Sequence, residues 1–160
     1  MQFLFANNNA VAICRNVVDT VEKIKQTSAS VLFQTSLENL EIYTDEARLQ
    51  QLLINLLINA TKFTTEGSIT LSLEKQSEEV ALFAVSDTGC GIAPEKQGAI
   101  FNRFEKLNEN AQGSGLGLSI CQLIVERFGG KIWIDPEYKN GSRFLFTHPI
   151  VSTSRKEVSE

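Results

Sequence analysis

Asn55, Asn59 and Lys62 fall at i, i+4 and i+7 in the run DEARLQQLLINLLINATKFTT, residues 45–65, so on a helix they share one face. Arg48 and Gln51 carry that polar line back by two turns. Two amides and an ammonium on an otherwise apolar helix point to a site that coordinates something charged. The same spacing also fits the solvated face of an amphipathic helix, which is the commoner case. Further along, Asp87 is followed by Gly89 and Gly91, and Gly113, Gly115 and Gly117 stand before another apolar helical run. Glycine lets a ligand approach the main chain closely. A helix that starts after glycines offers unpaired N–H groups and a positive dipole end, which suits phosphate. Each cluster alone also fits a turn that uses glycine for steric reasons. A P-loop needs GxxxxGK followed by Ser or Thr, and the chain has none. Its GxGxG spacing, late in the chain, also fails the dinucleotide fingerprint.

These residues need elements to hold them. The run 45–65 reads as one helix, capped by Thr44 or Asp45, with Leu49, Leu53, Leu56, Leu57 and Ala60 as its buried stripe. Acidic Asp45 and Glu46 favour its positive end. An earlier helix is expected over residues 10–26, with Asn7, Asn8 and Asn9 offering caps and Val11, Cys14, Val17, Val18, Val21 and Ile24 facing inward. Residues 2–5 read as a short strand or the end of a connection. Residues 31–35 and 40–43 read as strands. Residues 68–75 (SITLSLEK) alternate strictly, and residues 80–86 (VALFAVS) are apolar throughout, as in a central strand covered on both faces. Residues 105–114 form a polar stretch without apolar period and read as a mobile loop. A helix follows over residues 115–128, stopped by Gly129 and Gly130. Residues 131–135 and 142–147 are strands joined through Lys139, Asn140 and Gly141. The order predicts an α+β two-layer sandwich: one mixed, mostly antiparallel sheet with about three helices on one face. Residues 1–150 form one domain and 151–160 a flexible tail.

The 160 residues are 42 % hydrophobic and 21 % charged, with a net charge of −4. That suits one domain with a full core and excludes a basic nucleic-acid surface. Cys14, Cys90 and Cys121 are scattered without CxxC spacing, and His148 is the single histidine. This reads as reduced thiols in a cytoplasmic setting, without a metal cluster. The start does not read as a signal peptide, and the most apolar run, broken by Asn55 and Asn59, is shorter than the about 20 residues that span a bilayer.

Taken together the motifs resemble the catalytic and ATP-binding domain of a sensor histidine kinase, in the superfamily shared with DNA gyrase, heat-shock chaperone ATPases and MutL-type repair proteins. Asn55 to Phe63 resembles the N box, Asp87-Thr-Gly89-Cys-Gly91 the first glycine box, Phe101-Asn-Arg103-Phe104 the F box, and Gly113-Ser-Gly115-Leu-Gly117-Leu118 the second glycine box. They occur in the family's order, and the likeness covers roughly residues 10–150. The resemblance implies a Bergerat-type ATP-binding fold and the cofactors ATP and Mg²⁺. Asn59 would coordinate Mg²⁺, Asn55 would help hold the metal's water shell and the phosphates, and Lys62 would contact phosphate. Phe63 would lie against the nucleotide, and Asp87 would accept a hydrogen bond from the adenine amino group. Gly89, Gly91, Ile92 and Phe104 would line the base. Gly113, Ser114, Gly115, Leu116, Gly117 and Leu118 would close the phosphate end beneath a lid formed by residues 105–114. Arg103 would stabilise charge on the transferred phosphoryl group. Phosphoryl transfer is mostly positioning and charge neutralisation, so such a site is chemically adequate.

In hydrolysing relatives the position of Asn55 is typically a glutamate that activates water, and a neutral amide cannot take a proton. The resemblance therefore favours a kinase over an ATPase switch. His148, before Pro149 and without a helical acidic neighbour, reads as a structural or exposed strand residue and not the acceptor. The implied partners are ATP, dimerisation and phosphoacceptor helices of the same or another kinase, and indirectly a response regulator, with no nucleic acid and no direct membrane contact. The isolated domain is expected to be a monomer, the cytoplasmic portion of a membrane-anchored kinase. The spelling KLNENAQGSGLGLSI resembles kinases of the hybrid type. A gyrase- or chaperone-like ATPase, an anti-sigma-type Ser/Thr kinase and a non-catalytic nucleotide-binding module remain the alternatives.

Overall fold

The structure is a computed structural model that describes residues 2–88, 115–138 and 141–150. The described elements run β1 (Ala6–Asn9), α1 (Ala10–Ile24), β2 (Ser30–Thr35), β3 (Glu41–Thr44), α2 (Glu46–Phe63), β4 (Ser68–Ser77), β5 (Val80–Asp87), α3 (Gly115–Phe128), β6 (Ile132–Ile134) and β7 (Ser142–Pro149). Five strands form one sheet in the order β2-β4-β5-β7-β6. Only β2 and β4 are parallel, and the other neighbours are antiparallel. The mixed, mostly antiparallel α+β sandwich expected from the element order is the fold observed.

The alternation in the strands decides which face carries the helices. In β4, Ile69, Leu71 and Leu73 are buried while Thr70 and Ser72 are half-buried. In β7, Phe144, Phe146 and His148 point the same way. On β5, Ala81, Phe83 and Val85 meet them, and Phe83 stacks on Phe146 with ring centroids 4.6 Å apart. Leu49, Leu52, Leu53, Leu56, Leu57 and Ala60 of α2 close over this face with Cys121, Ile124 and Val125 of α3. The expectation that β5 is covered on both faces needs correction. Its outward Leu82 and Ser86 are half-buried and Ala84 is buried, while the described helices α2 and α3 join Ala81, Phe83 and Val85 on the other face.

Two further differences concern the chain's start. The asparagine run does not serve only as cap chemistry. Asn7 and Asn8 extend in β1, which pairs with β3 in a separate two-stranded sheet. Asn9 alone caps α1, its Oδ1 accepting from the Val11 N–H at 3.1 Å and from the Leu40 N–H at 3.1 Å. Thus β2 and β3, neighbours in sequence, belong to different sheets. Residues 2–5 form no strand. They are strapped across the helix ends: the Leu4 N–H donates to Asp45 Oδ2 at 2.6 Å, and the Phe3 ring packs edge-on to Phe128.

His148 is buried at 1 % exposure, which excludes the exposed reading. Its Nε2 lies 3.0 Å from Thr44 Oγ1 and its Nδ1 2.8 Å from the Pro149 carbonyl. Burial pushes its pKa down from the usual 6.5 to about 4. The folded state therefore holds a neutral ring where the unfolded chain would bind a proton. Stability from this group is full above pH 6.5 and is lost as pH falls from 6.5 towards 4. At pH 5 the loss is about 2 kcal/mol. Denaturant midpoints at pH 7.5 and pH 5 read it, and His148→Gln should flatten the difference. An unchanged pH dependence in that variant would contradict the assignment.

Candidate functional site

One end of the sandwich gathers the sequence-predicted polar groups, and the contacts show how. The Thr44–His148 bond places the start of α2 beside the end of β7. The Phe128 ring lies 4.7 Å from the His148 ring, so the end of α3 is there too. Hence α2 and α3 run in opposite directions. The last turn of α2 and the first turn of α3 lie at the far end, where β4 and β7 begin and β5 finishes. There Asp87 stands between Ile69 and Ser142 in the ladder, and the Thr88 N–H donates to the Ser68 carbonyl at 3.2 Å.

The α2 helix forms because its apolar residues fall on one stripe and Asp45 caps it, Oδ1 accepting from the Arg48 N–H at 3.0 Å. Rotated from that stripe, Asn55 and Asn59 are half-buried, Lys62 is exposed and Phe63 is half-buried. Asn59 lies about 6 Å along the axis from Asn55, one turn nearer the Asp87 end. Among the described residues, Asn59 and Lys62 have no hydrogen-bond or ion-pair partner. A half-buried amide left open in this way is suited to a polar ligand. The backward extension of the polar line is different: Arg48 is turned away, its Nη1 bonding Gln51 Oε1 and its Nε the Gln2 carbonyl. It belongs to the opposite end and holds the N-terminal strap.

Asp87 is 3 % exposed, and its Oδ1 accepts from the Ser142 N–H at 3.3 Å. Gly141 makes this approach possible. Its φ is +153°, and a Cβ there would collide with the Asp87 carbonyl oxygen and come within 2.8 Å of Oδ1. The sequence places Gly141 in a turn and Ser142 at the start of a strand, with no part at the site for either. The register Asp87↔Ser142 is tertiary information, and nothing local to either residue carried it.

Cys121 is a second residue whose part was missed. Its thiol, 0 % exposed, donates to the Leu52 carbonyl at 3.9 Å and so joins α3 to α2. Burial pushes its pKa up to about 12, as it does for Cys14, so both thiols are neutral. The α3 helix starts at Gly115, so Gly115, Leu116, Gly117 and Leu118 form its first turn, with Leu118 buried. Gly89, Gly91, Ile92, Arg103, Phe104, Gly113, Ser114 and the lid-like stretch 105–114 lie outside the described residues. No helix among the described residues is long and apolar enough to cross a membrane.

Known proteins bear on this arrangement. The profile of the family of histidine kinase-, DNA gyrase B- and HSP90-like ATPases matches residues 44–152. The adaptive-response sensory kinase SasA of Rippkaea orientalis is 34 % identical over 142 residues, which cover 86 % of this chain and 36 % of that kinase. Among solved structures, the catalytic domain of the histidine kinase ThkA superposes with a TM-score of 0.81 at 33 % identity, covering 92 % of this chain and 99 % of that one. Full-length ShkA in complex with AMPPNP gives a TM-score of 0.82 at 29 % identity, covering 93 % of this chain and 32 % of that one. The chain belongs to the histidine kinase-, DNA gyrase B- and HSP90-like ATPase family. Within it, the chain is an ATP-binding catalytic domain of the histidine kinase kind. It spans about a third of the SasA kinase it resembles.

Proposed function

We propose that this domain moves the γ-phosphoryl group of Mg·ATP to a histidine on a separate dimerisation and phosphoacceptor domain, for onward transfer to a response regulator. The observation that carries this reading is the open amide of Asn59 at the same end of the sandwich as the buried carboxylate of Asp87. In the reaction the acceptor imidazole nitrogen forms a bond to the γ-phosphorus, the bond from that phosphorus to the β–γ bridging oxygen breaks, and ADP leaves.

Asp87 accepts from the adenine amino group, and Ser142 fixes that carboxylate in place. Lys62, exposed at the end of α2, meets phosphate charge. The first turn of α3 points backbone N–H groups at the phosphates. Asn59 offers an oxygen donor, which fits the preference of Mg²⁺ for oxygen ligands beside phosphate and water. When bound, the metal would neutralise charge on the phosphates. Phe63 packs against the nucleotide. Gly89, Gly91, Ile92 and Phe104 line the base, Gly113 and Ser114 the phosphate end, and Arg103 stabilises charge on the group in flight. The domain acts in the cytoplasm as part of a larger kinase.

Asn55 cannot take a proton from water, which supports transfer to a protein over hydrolysis. His148 is inaccessible at 1 % exposure, so the domain should not phosphorylate itself. Incubation with γ-labelled ATP tests both statements. The expected result is no acid-labile phosphate on the chain and little release of inorganic phosphate. Acid-labile label on the chain, or rapid steady-state hydrolysis, would contradict them.

A further inference from the structure

Asp87 ends β5, and a carboxylate at a strand end recognises an amino group only if the chain beside it is fixed. On the inward face that chain is Ser142, whose N–H donates to Asp87 Oδ1 at 3.3 Å. The next pair in the same ladder, Ser86 and Arg143, faces outward, and both residues are half-buried. Arg143 Nε donates to Ser86 Oγ at 3.0 Å, and Nη1 reaches Asp135 Oδ2 at 3.5 Å. The guanidinium carbon lies 4.3 Å from the centre of the Tyr138 ring. Asp135 turns the chain after β6. Its Oδ1 accepts from the Glu137 N–H at 2.9 Å and its carbonyl from the Tyr138 N–H at 3.4 Å, while its own N–H donates to the Arg143 carbonyl at 2.9 Å.

We propose that Arg143 is a positioning residue for Asp87, clamping from the outward face the turn that brings Gly141 and Ser142 against that carboxylate. The inference rests on the reading of Asp87 as the acceptor of the adenine amino group. A guanidinium can bond along its edge and stack on its flat face at the same time. Here the edge joins β5 to the residue that follows β6, and the face holds Tyr138. One side chain thus ties β5, β7 and the turn together beside Asp87. The backbone at Gly141 has no slack, since a Cβ there would meet the Asp87 carbonyl oxygen and come within 2.8 Å of Oδ1. A small shift of the turn therefore moves the Ser142 N–H off Oδ1 and frees the carboxylate to rotate. Arg143 faces away from α2 and α3, so it acts through the chain and not by touching phosphate.

The test is a calorimetric titration of the full chain with Mg·ADP and with Mg·IDP, which carries a carbonyl where ADP carries the amino group. The variants are Arg143→Ala, Arg143→Lys, Tyr138→Phe, Asp87→Asn and Arg143→Ala/Asp87→Asn. Arg143→Ala should weaken ADP binding by about threefold to tenfold, the size of one lost hydrogen bond, and leave IDP binding within about twofold. Lysine keeps the charge without the fork and the flat face, so it should lose about as much as alanine. Tyr138→Phe keeps the ring and should stay within about twofold of wild type. In the Asp87→Asn background the Arg143→Ala change should have no further effect. Wild-type ADP affinity in Arg143→Ala or in Arg143→Lys, an equal loss for ADP and IDP, or the same loss in the Asp87→Asn background would each overturn the positioning role alone. Equal affinity of the wild-type chain for ADP and IDP, or wild-type ADP affinity in Asp87→Asn, would overturn it together with the reading of Asp87 on which it rests.

Discussion

Asn59→Ala is expected to abolish most of the magnesium-dependent affinity for nucleotide while leaving the fold intact. Asn59 is half-buried and has no hydrogen-bond partner among the described residues. Its removal breaks no hydrogen bond or ion pair among the described residues, so the change in stability should stay within about 0.5 kcal/mol. Its oxygen is the one amide oxygen proposed to bind the metal directly. Loss of even an outer partner of a bound metal typically costs about 10–100-fold in affinity, and loss of a direct ligand should cost at least as much. Titration with ADP should show that loss in Mg²⁺ and almost none in EDTA. An equal loss in both conditions would mean that Asn59 supports the site without touching the metal.

Asp87→Asn and Asp87→Ala should separate recognition from folding. Asp87 is 3 % exposed, and its Oδ1 takes the Ser142 N–H at 3.3 Å. Alanine removes that acceptor and strands a buried donor, which costs about 1–3 kcal/mol of stability. Asparagine keeps the shape and can still accept from Ser142 through its oxygen. Its other atom is then an amide nitrogen, which presents hydrogens to the hydrogens of the adenine amino group. The acceptor becomes a donor at the one place where adenine needs an acceptor. ATP binding by Asp87→Asn should therefore fall by at least about tenfold, with a denaturation midpoint near that of wild type. Undiminished ATP affinity in Asp87→Asn would remove Asp87 from base recognition.

The elements were legible where the period was strong. The stripe of α2 is buried as its spacing predicted, with Leu52 added, and the helix spans 46–63 where 45–65 was expected. The alternation of β4 carried through to its burial pattern. Pairing was legible for the hairpin of β6 and β7 but not for strands far apart in the chain or for the chain's start. Asn7 and Asn8 have low strand propensity, and they extend in β1 because β3 offers a ladder. The outward side of β5 reads as covered because its residues are apolar, but adjacent strands can shelter such side chains without a helix. At the candidate site, Asn59 and Lys62 were named from type and spacing and Asp87 from the family resemblance. Ser142, Gly141 and Cys121 were not, since their parts depend on a register and a helix contact that join residues more than fifty positions apart. His148 was read as a structural or exposed strand residue; it is buried, and its bond to Thr44 spans 104 positions and left no local signal.

The central claim is that the end of the sandwich bearing Asn59 and Asp87 is a Mg·nucleotide site. Calorimetric titration of the wild-type chain with ADP tests it most directly. The expected result is binding at one site per chain that weakens markedly when Mg²⁺ is replaced by EDTA. No binding by the wild-type chain in Mg²⁺ would contradict the claim and leave a domain that keeps the family's fold without its nucleotide.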